Sequence, residues 1–288
     1  MFMASIREIK RRRESIQSTA QITKAMKLVS TVKYQKAKVQ AEAARPYFEK
    51  MYETMISILS RTGTMGEAGE ASGSSPNSAV IVLTGNRGLA GGYNANIIRM
   101  VLDCGLPKEQ VKLYTIGSKG REALEKKGYT VFKDYSEMIE APSYHQARQI
   151  MSDILEAYHK DEFSSIYLVY TYFKNTMTHI PKMIKLLPAE KPEISDEEKQ
   201  KASAPMNFEP DEQEVLDALI PNYITSLVYG AVLEAYASEN GARMTAMDSA
   251  TSNAEEMIDD LELKYNRARQ GSITQEITEI VAGTESMA

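Results

Sequence analysis

Both ends of this chain carry helical patterning too long for any ordinary globular domain: residues 4–60 and 210–282 read as helices, with an α/β-patterned stretch between them. At about 1.5 Å of rise per residue, the two patterns span about 85 Å and about 110 Å. Helices in water are marginal alone and gain most of their stability by packing an apolar face. Each end therefore needs a partner surface, and the nearest one is the other end.

In the first pattern Ala25, Val29, Val32, Lys36, Val39 and Ala43 follow the alternating four-and-three spacing of a coiled-coil seam, and Tyr47, Met51, Met55 and Ile58 continue it. Met247, Ala250, Ala254, Met257, Leu261, Tyr265 and Ala268 follow the same spacing in the second, so two seams of matching type are available to face each other. Ala242, Ala246, Ala250 and Ala254 let two backbones approach closely, which favours a slender rod. Met26, Met244, Met247 and Met257 suit the filling of such a seam. Pro46 is expected to bend or break the first helix, and Pro221 to start or kink the second. A globular all-α bundle is the alternative, weakened by the lack of further helices to complete it.

The middle changes period. Residues 79–84 (AVIVLT) form a short apolar run suited to a buried parallel strand. Further strands are expected at 111–116, 129–132, 165–172 and 178–187, with helices at 94–104, 119–127 and 144–159. This alternation predicts a Rossmann-like α/β domain with a mainly parallel sheet over residues 79–187. A Gly- and Ser-rich linker (61–78) precedes it and a charged, proline-bearing connection (188–209) follows, leaving 1–60 and 210–288 as the helical segments.

The first forty residues hold ten Lys or Arg against Glu8 and Glu14, in a chain whose net charge is -5. A solvated helix face, an acidic protein partner and nucleic acid each account for such a run, but no recognition motif or aromatic interleaving supports the last. Glu8 and Glu14 also interrupt any transit-peptide pattern, and the helix continues into Ile22, Met26 and Val29. No stretch approaches the ~18 consecutive apolar residues of a spanning helix. The single cysteine, Cys104, excludes an internal disulfide and reads as a packing residue in a reducing compartment.

The feature most like an enzyme site is the glycine-rich stretch from Thr84 to Asn94, lying after a strand and before a helix. Phosphate loops occur there, yet neither the Gly-Lys-Ser/Thr ending of a P-loop nor dinucleotide spacing is present. Gly85, Gly88, Gly91 and Gly92 read first as a tight structural turn, with phosphate or nucleotide binding the alternative. Gly117-Ser118-Lys119-Gly120 offers a similar turn. His145, His159 and His179 lack metal-ligand spacing, and Glu255, Glu256, Asp259 and Asp260 read as a solvated helix face.

Three blocks go further: Ile22-Thr23-Lys24-Ala25-Met26-Lys27-Leu28-Val29-Ser30, Asn86-Arg87-Gly88-Leu89-Ala90-Gly91-Gly92-Tyr93-Asn94, and a C-terminal block from Ser238-Glu239-Asn240-Gly241-Ala242-Arg243 through Ala250-Thr251-Ser252-Asn253-Ala254 to Tyr265-Asn266-Arg267-Ala268-Arg269-Gln270 and on to Val281. In these blocks the chain resembles the gamma-subunit family of the bacterial F-type, proton-transporting ATP synthases. The resemblance implies a central rotor shaft. Both termini would form an antiparallel coiled coil inside a hexamer of three alpha and three beta subunits, with the middle domain outside it, near the membrane ring of c subunits, and the epsilon subunit a further partner. Proton flow would drive rotation and ATP would be made at the beta subunits, so the shaft itself is expected to have no active site, cofactor or metal. Nucleic acid and direct membrane insertion are not expected, and the resemblance places the chain at the cytoplasmic face of the cell membrane, held there through its partners.

By matching position, the resemblance assigns coupling or subunit-contact roles to Lys24, Met26, Glu239, Arg243, Arg269, Gln270, Thr274 and Glu276. Guanidinium groups suit directional carboxylate contacts that form and release as a rod turns. The chain departs from the family in having Gly85-Asn86 where Ser-Asp is frequent, and Ala90 where many members carry cysteine.

Overall fold

The structure, a computed structural model, describes residues 2–62, 75–175, 178–188 and 212–285. In chain order the elements are α1 (Phe2–Thr62), β1 (Ser78–Leu83), α2 (Tyr93–Leu102), β2 (Val111–Ile116), α3 (Ser118–Lys126), β3 (Thr130–Asp134), α4 (Tyr144–His159), β4 (Ser165–Phe173), β5 (His179–Leu187) and α5 (Glu212–Glu285). Most of the expected linker and of the charged connection lies outside the described residues. Among the described residues no helix is long and apolar enough to cross a membrane. The chain divides into two compact units, one of Met1–Ser30 with Arg243–Ala288, the other of Thr31–Ala242.

In the first unit α1 and α5 run antiparallel. Lys27 pairs with Asp248, the Thr23 and Thr251 hydroxyls hydrogen-bond at 2.8 Å, and Arg13 meets Glu262 at 3.8 Å while lying over the Tyr265 ring. Rising numbers on one helix thus meet falling numbers on the other. On α5 the buried positions Met247, Ala254 and Leu261 recur every seven residues, as the spacing predicts, with Tyr265 and Ala268 half-buried. Met257, expected in that seam, faces outward.

On α1 the expected seam is corrected. Ala25 and Val29 are exposed, Val29 by 57%, and the buried positions are Thr23 and Ser30. Small side chains permit close approach of two helix backbones, and the Thr23 hydroxyl stays satisfied at the seam by bonding Thr251. The valines belong to a second stripe on the opposite side of the helix.

The second unit repeats the correction. Ala37 is fully buried against Tyr236 and Ala237, whereas Val32 and Val39 are 66% and 64% exposed, and Lys36 and Ala43 also face solvent. Further along, Met55 and Ile58 are buried as expected. Here too α1 and α5 are antiparallel, with the Phe48 ring against Tyr229. Neither proline breaks its helix: α1 continues through Pro46, and α5 is already helical before Pro221, so Pro221 does not start it.

The same unit holds a five-stranded sheet of order β3-β2-β1-β4-β5, parallel except for β5, which runs antiparallel to β4. All six residues of β1 are buried, which is why the strand reads as an unbroken apolar run. Alternate side chains serve two cores. Val80 and Val82 pack with Ile97 and Val101 of α2 and Leu124 of α3. Ile81 and Leu83 pack with Ile150 and Ile154 of α4, and that core takes in Met55 and Ile58 of α1 and Val228, Val232 and Ala235 of α5. The terminal helices therefore form part of one covering layer of the sheet.

Candidate functional site

The second unit's polar groups concentrate where β1 ends. Thr84 is fully buried; its N–H donates to the Ile116 carbonyl at 2.8 Å, and its hydroxyl donates to Gly117 O while accepting the Gly120 N–H at 2.9 Å. The Asn86 side chain accepts the Ser118 N–H at 2.9 Å and donates to Ser136 O, and Gly85 O accepts the Lys119 N–H at 3.1 Å. Three donors that the start of α3 would otherwise leave unpaired are thereby satisfied. Gly85 N–H in turn donates to the Asn94 side chain at 2.9 Å.

The two glycine-rich turns are therefore bonded directly to each other. The N–H groups of Gly85, Ser118, Lys119 and Gly120 are already engaged within the chain. The side chain lying against this turn comes from the chain itself. A Cβ placed on Gly85 would stand 2.6 Å from Cδ of Glu239, and Glu239 is only 5% exposed. Gly85 is thus a position of close approach, where any side chain would displace the Glu239 carboxyl group. Gly91 has φ 57° within the turn and Gly92 is the N-cap of α2.

A second set of bonds ties α5 to β4. The pairing of β1 with β4 ends at Val82 and Val169, so the last residues of β4 have no strand on that side. There the Ser238 hydroxyl donates to Thr171 O at 3.5 Å and the Glu234 carboxylate accepts the Phe173 N–H. From α2, the Tyr93 hydroxyl donates to the Ala235 carbonyl at 3.1 Å. One turn on, Gly241 lies against His179 of β5, Tyr34 of α1 and Phe173 of β4. The Ser238-Glu239-Asn240-Gly241 run thus meets β4, the end of β1, β5 and α1 at successive positions.

Glu234 lines a cavity of about 350 Å³ with Phe48, Tyr172 and Phe173, and burial pushes its carboxyl above the ordinary range, partly offset by the Phe173 N–H and the Lys182 charge. A group whose pKa is raised by folding contributes stability that is complete below its unfolded pKa and is lost as pH climbs through the folded one. Glu234→Gln keeps an acceptor for Phe173 and has no proton to lose. Its melting temperature is therefore expected to gain on that of the parent chain as pH rises from about 4 to about 8. Parallel melting curves across that range would show that Glu234 titrates alike in both states.

The other positions marked by the sequence belong to the first unit. Lys24 is exposed and Met26 half-buried in the first unit, where Arg243 is buried. Arg269, Gln270, Thr274 and Glu276 are exposed near the end of α5, with the Thr274 hydroxyl bonded back to Gln270 O. Glu239, assigned a coupling or subunit-contact role, is 5% exposed and lies against Gly85 of its own unit. Sequence reasoning missed Thr84, Asn86 and Asn94 as a network. Their signal is chemical: short polar side chains beside strand ends and helix starts, where backbone groups lack partners.

The first unit exposes large apolar side chains: Ile22, Leu28 and Val29 on α1, and Ile273, Ile277 and Ile280 on α5, the last two 56% and 67% exposed. The α5 trio recurs at helical spacing on one face. Among the described residues no group of three or more His, Cys, Asp or Glu side chains is placed to hold a metal.

Residues 5–287 match a family model described as ATP synthase. The chain is 55% identical to the ATP synthase gamma chain of Lachnoclostridium phytofermentans, over 99% of this chain and 100% of that one. It is 45% identical to the ATP synthase gamma chain of Alkaliphilus metalliredigens, over 98% of each. It is 41% identical to a sodium ion specific ATP synthase gamma chain of Acetobacterium woodii, over 98% of this chain and 99% of that one. Among solved structures its fold is similar to a chain of the Euglena gracilis mitochondrial ATP synthase, with TM-score 0.69 at 20% identity over 99% of this chain and 95% of that one. A chain from the central stalk and c-ring of the Tetrahymena thermophila enzyme matches at TM-score 0.58 and 23% identity, over 80% of this chain and 99% of that one.

Proposed function

This chain belongs to the ATP synthase gamma-chain family, and we propose from that premise that it is the central stalk of a bacterial rotary ATP synthase, the shaft that couples transmembrane proton flow to ATP synthesis and hydrolysis. The observation that carries the reading is the set of exposed large apolar side chains in the first unit, Ile22, Leu28 and Val29 on α1 and Ile273, Ile277 and Ile280 on α5. Contiguous exposed apolar groups mark surfaces that another protein covers. Apolar attraction has no preferred direction, so such faces stay in contact while they turn within a sleeve. Exposed Lys24, Arg269, Gln270, Thr274 and Glu276 supply directional polar contacts that change as the shaft rotates.

The sleeve is a hexamer of three alpha and three beta subunits. Torque enters from a membrane ring of c subunits, with the epsilon subunit alongside. The chain performs no bond chemistry: it biases the three beta sites in turn, each through open, loose and tight states, by presenting a different face to each. It binds no nucleic acid and sits peripherally on the cytoplasmic side of the cell membrane.

Mixing the full chain with purified alpha and beta subunits tests this directly. A complex containing all three, with recovered ATPase activity and rotation of a bead on the shaft, is expected. A chain that stays apart from the other subunits and restores no activity would sink the reading.

A further inference from the structure

The geometry points to a carboxylate latch: Glu239 of α5, seated against Gly85 at the end of β1, fixes the sheet to α5 so that sheet and helix turn as one piece. The inference rests on the reading of the chain as a shaft, and it gives Glu239 an internal task in place of a contact with another subunit.

Glutamate is seldom this buried unless its carboxylate is used, and Glu239 is 5% exposed. Its carboxyl end occupies the space that a side chain at residue 85 would take. The turn receiving it is held by its own bonds, Thr84 and Asn86 to the start of α3 and Asn94 to Gly85. Nearby positions of α5 are tied as well, through Ser238 to Thr171, Glu234 to Phe173 and Ala235 to Tyr93.

The rest of the contact between α5 and the sheet is apolar, through Val228, Val232 and Ala235. Apolar packing resists separation but specifies register weakly, whereas buried polar groups penalise any displacement that unpairs them. A sheet loaded sideways by a turning ring needs that second kind of contact. Glu239 is accordingly a positioning residue for torque transfer.

The test compares Glu239→Ala, Glu239→Gln, Gly85→Ala and the double variant Gly85→Ala/Glu239→Ala. Amide hydrogen exchange at residues 84–88 and 171–173 of the full chain reads the latch. The ratio of ion-driven ATP synthesis to ATP hydrolysis, per assembled complex, reads torque transfer. Glu239→Ala and Gly85→Ala are expected to raise exchange in both segments by about tenfold, with Glu239→Gln intermediate. The double variant is expected to be no looser than either single one, because the clash and the latch involve the same two residues. The synthesis-to-hydrolysis ratio should fall about threefold in the loosened variants.

Wild-type exchange in Glu239→Ala overturns the latch, and wild-type exchange in Gly85→Ala overturns it equally if Glu239→Ala folds poorly. Raised exchange with an unaltered ratio overturns the role in torque transfer. Either result leaves the shaft assignment intact, since that fails only if the unmodified chain does not assemble.

Discussion

Gly117→Ala is expected to be the most destabilising single substitution considered for this chain. Gly117 follows the last residue of β2 at φ 118°, a conformation that side chains rarely adopt. A Cβ there would stand 2.7 Å from Thr84 Oγ1 and closer still to the Thr84 carbonyl. Thr84 cannot yield without cost, because its N–H, its hydroxyl hydrogen and its hydroxyl lone pair are all engaged and the residue is fully buried. Backbone strain of about 1–3 kcal/mol and overpacking of a similar size combine to about 3–5 kcal/mol. That is a large share of the roughly 5–15 kcal/mol that holds a typical fold together. Urea unfolding of the full chain, followed by far-UV circular dichroism, measures it. A loss below about 1 kcal/mol would mean that the β2–α3 corner relaxes freely, contrary to its bonding.

The double substitution Ile22→Asp/Val29→Asp is expected to do the opposite: little to the fold and a great deal to function. Both side chains are more than half exposed in the first unit. Two exposed changes at such sites shift stability by no more than about 0.5 kcal/mol each, so the melting temperature of the isolated chain should barely move. Covering the same face with an apolar sleeve would bury two carboxylates at a cost of several kcal/mol, about 2–7 kcal/mol per unpaired polar group. Recovery of ATPase activity with alpha and beta subunits should then fall by about a hundredfold or more. Ala37→Asp supplies the contrast. Ala37 is fully buried in the second unit, so that variant should lose stability before any partner is added. If Ile22→Asp/Val29→Asp assembled normally, the exposed α1 stripe would not be a docking face.

These expectations turn on a distinction the linear pattern hides. On α1 the apolar residues Val29, Val32 and Val39 trace a regular stripe, and hydropathy alone makes that stripe the seam. The true inner positions, Thr23, Ser30 and Ala37, also recur every seven residues, but they are small and two of them carry hydroxyls. Small size matters for close approach of backbones, and a hydroxyl is tolerated when its partner is a hydroxyl on the facing helix, as with Thr23 and Thr251. On α5 the seam was legible because Met247, Ala254 and Leu261 are both apolar and inward.

The glycine-rich turn was legible as a turn and ambiguous as a site. Its place between a strand and a helix follows from period and composition. What fills it does not, because Glu239 is far away in sequence and nothing local connects it with Gly85. The same holds for the other site residues: Lys24, Arg269, Gln270, Thr274 and Glu276 carry surface chemistry in their residue types, while the inward direction of Glu239 depends on what α5 meets at that turn.

By itself, then, the sequence determined what local physics governs: two terminal helices of unusual length, an alternating α/β middle, the chemistry available at each turn, and a family through three separated blocks. Tertiary structure alone decided which of two periodic stripes on α1 faces inward, that Pro46 and Pro221 are carried within continuous helices, and that the glycine turn closes on the chain's own carboxylate. The physical reason is range. Periodicity and turn propensity are set by neighbours along the chain, but the choice of seam, the tolerance of a proline and the partner of a buried charge are set by surfaces that meet only after folding.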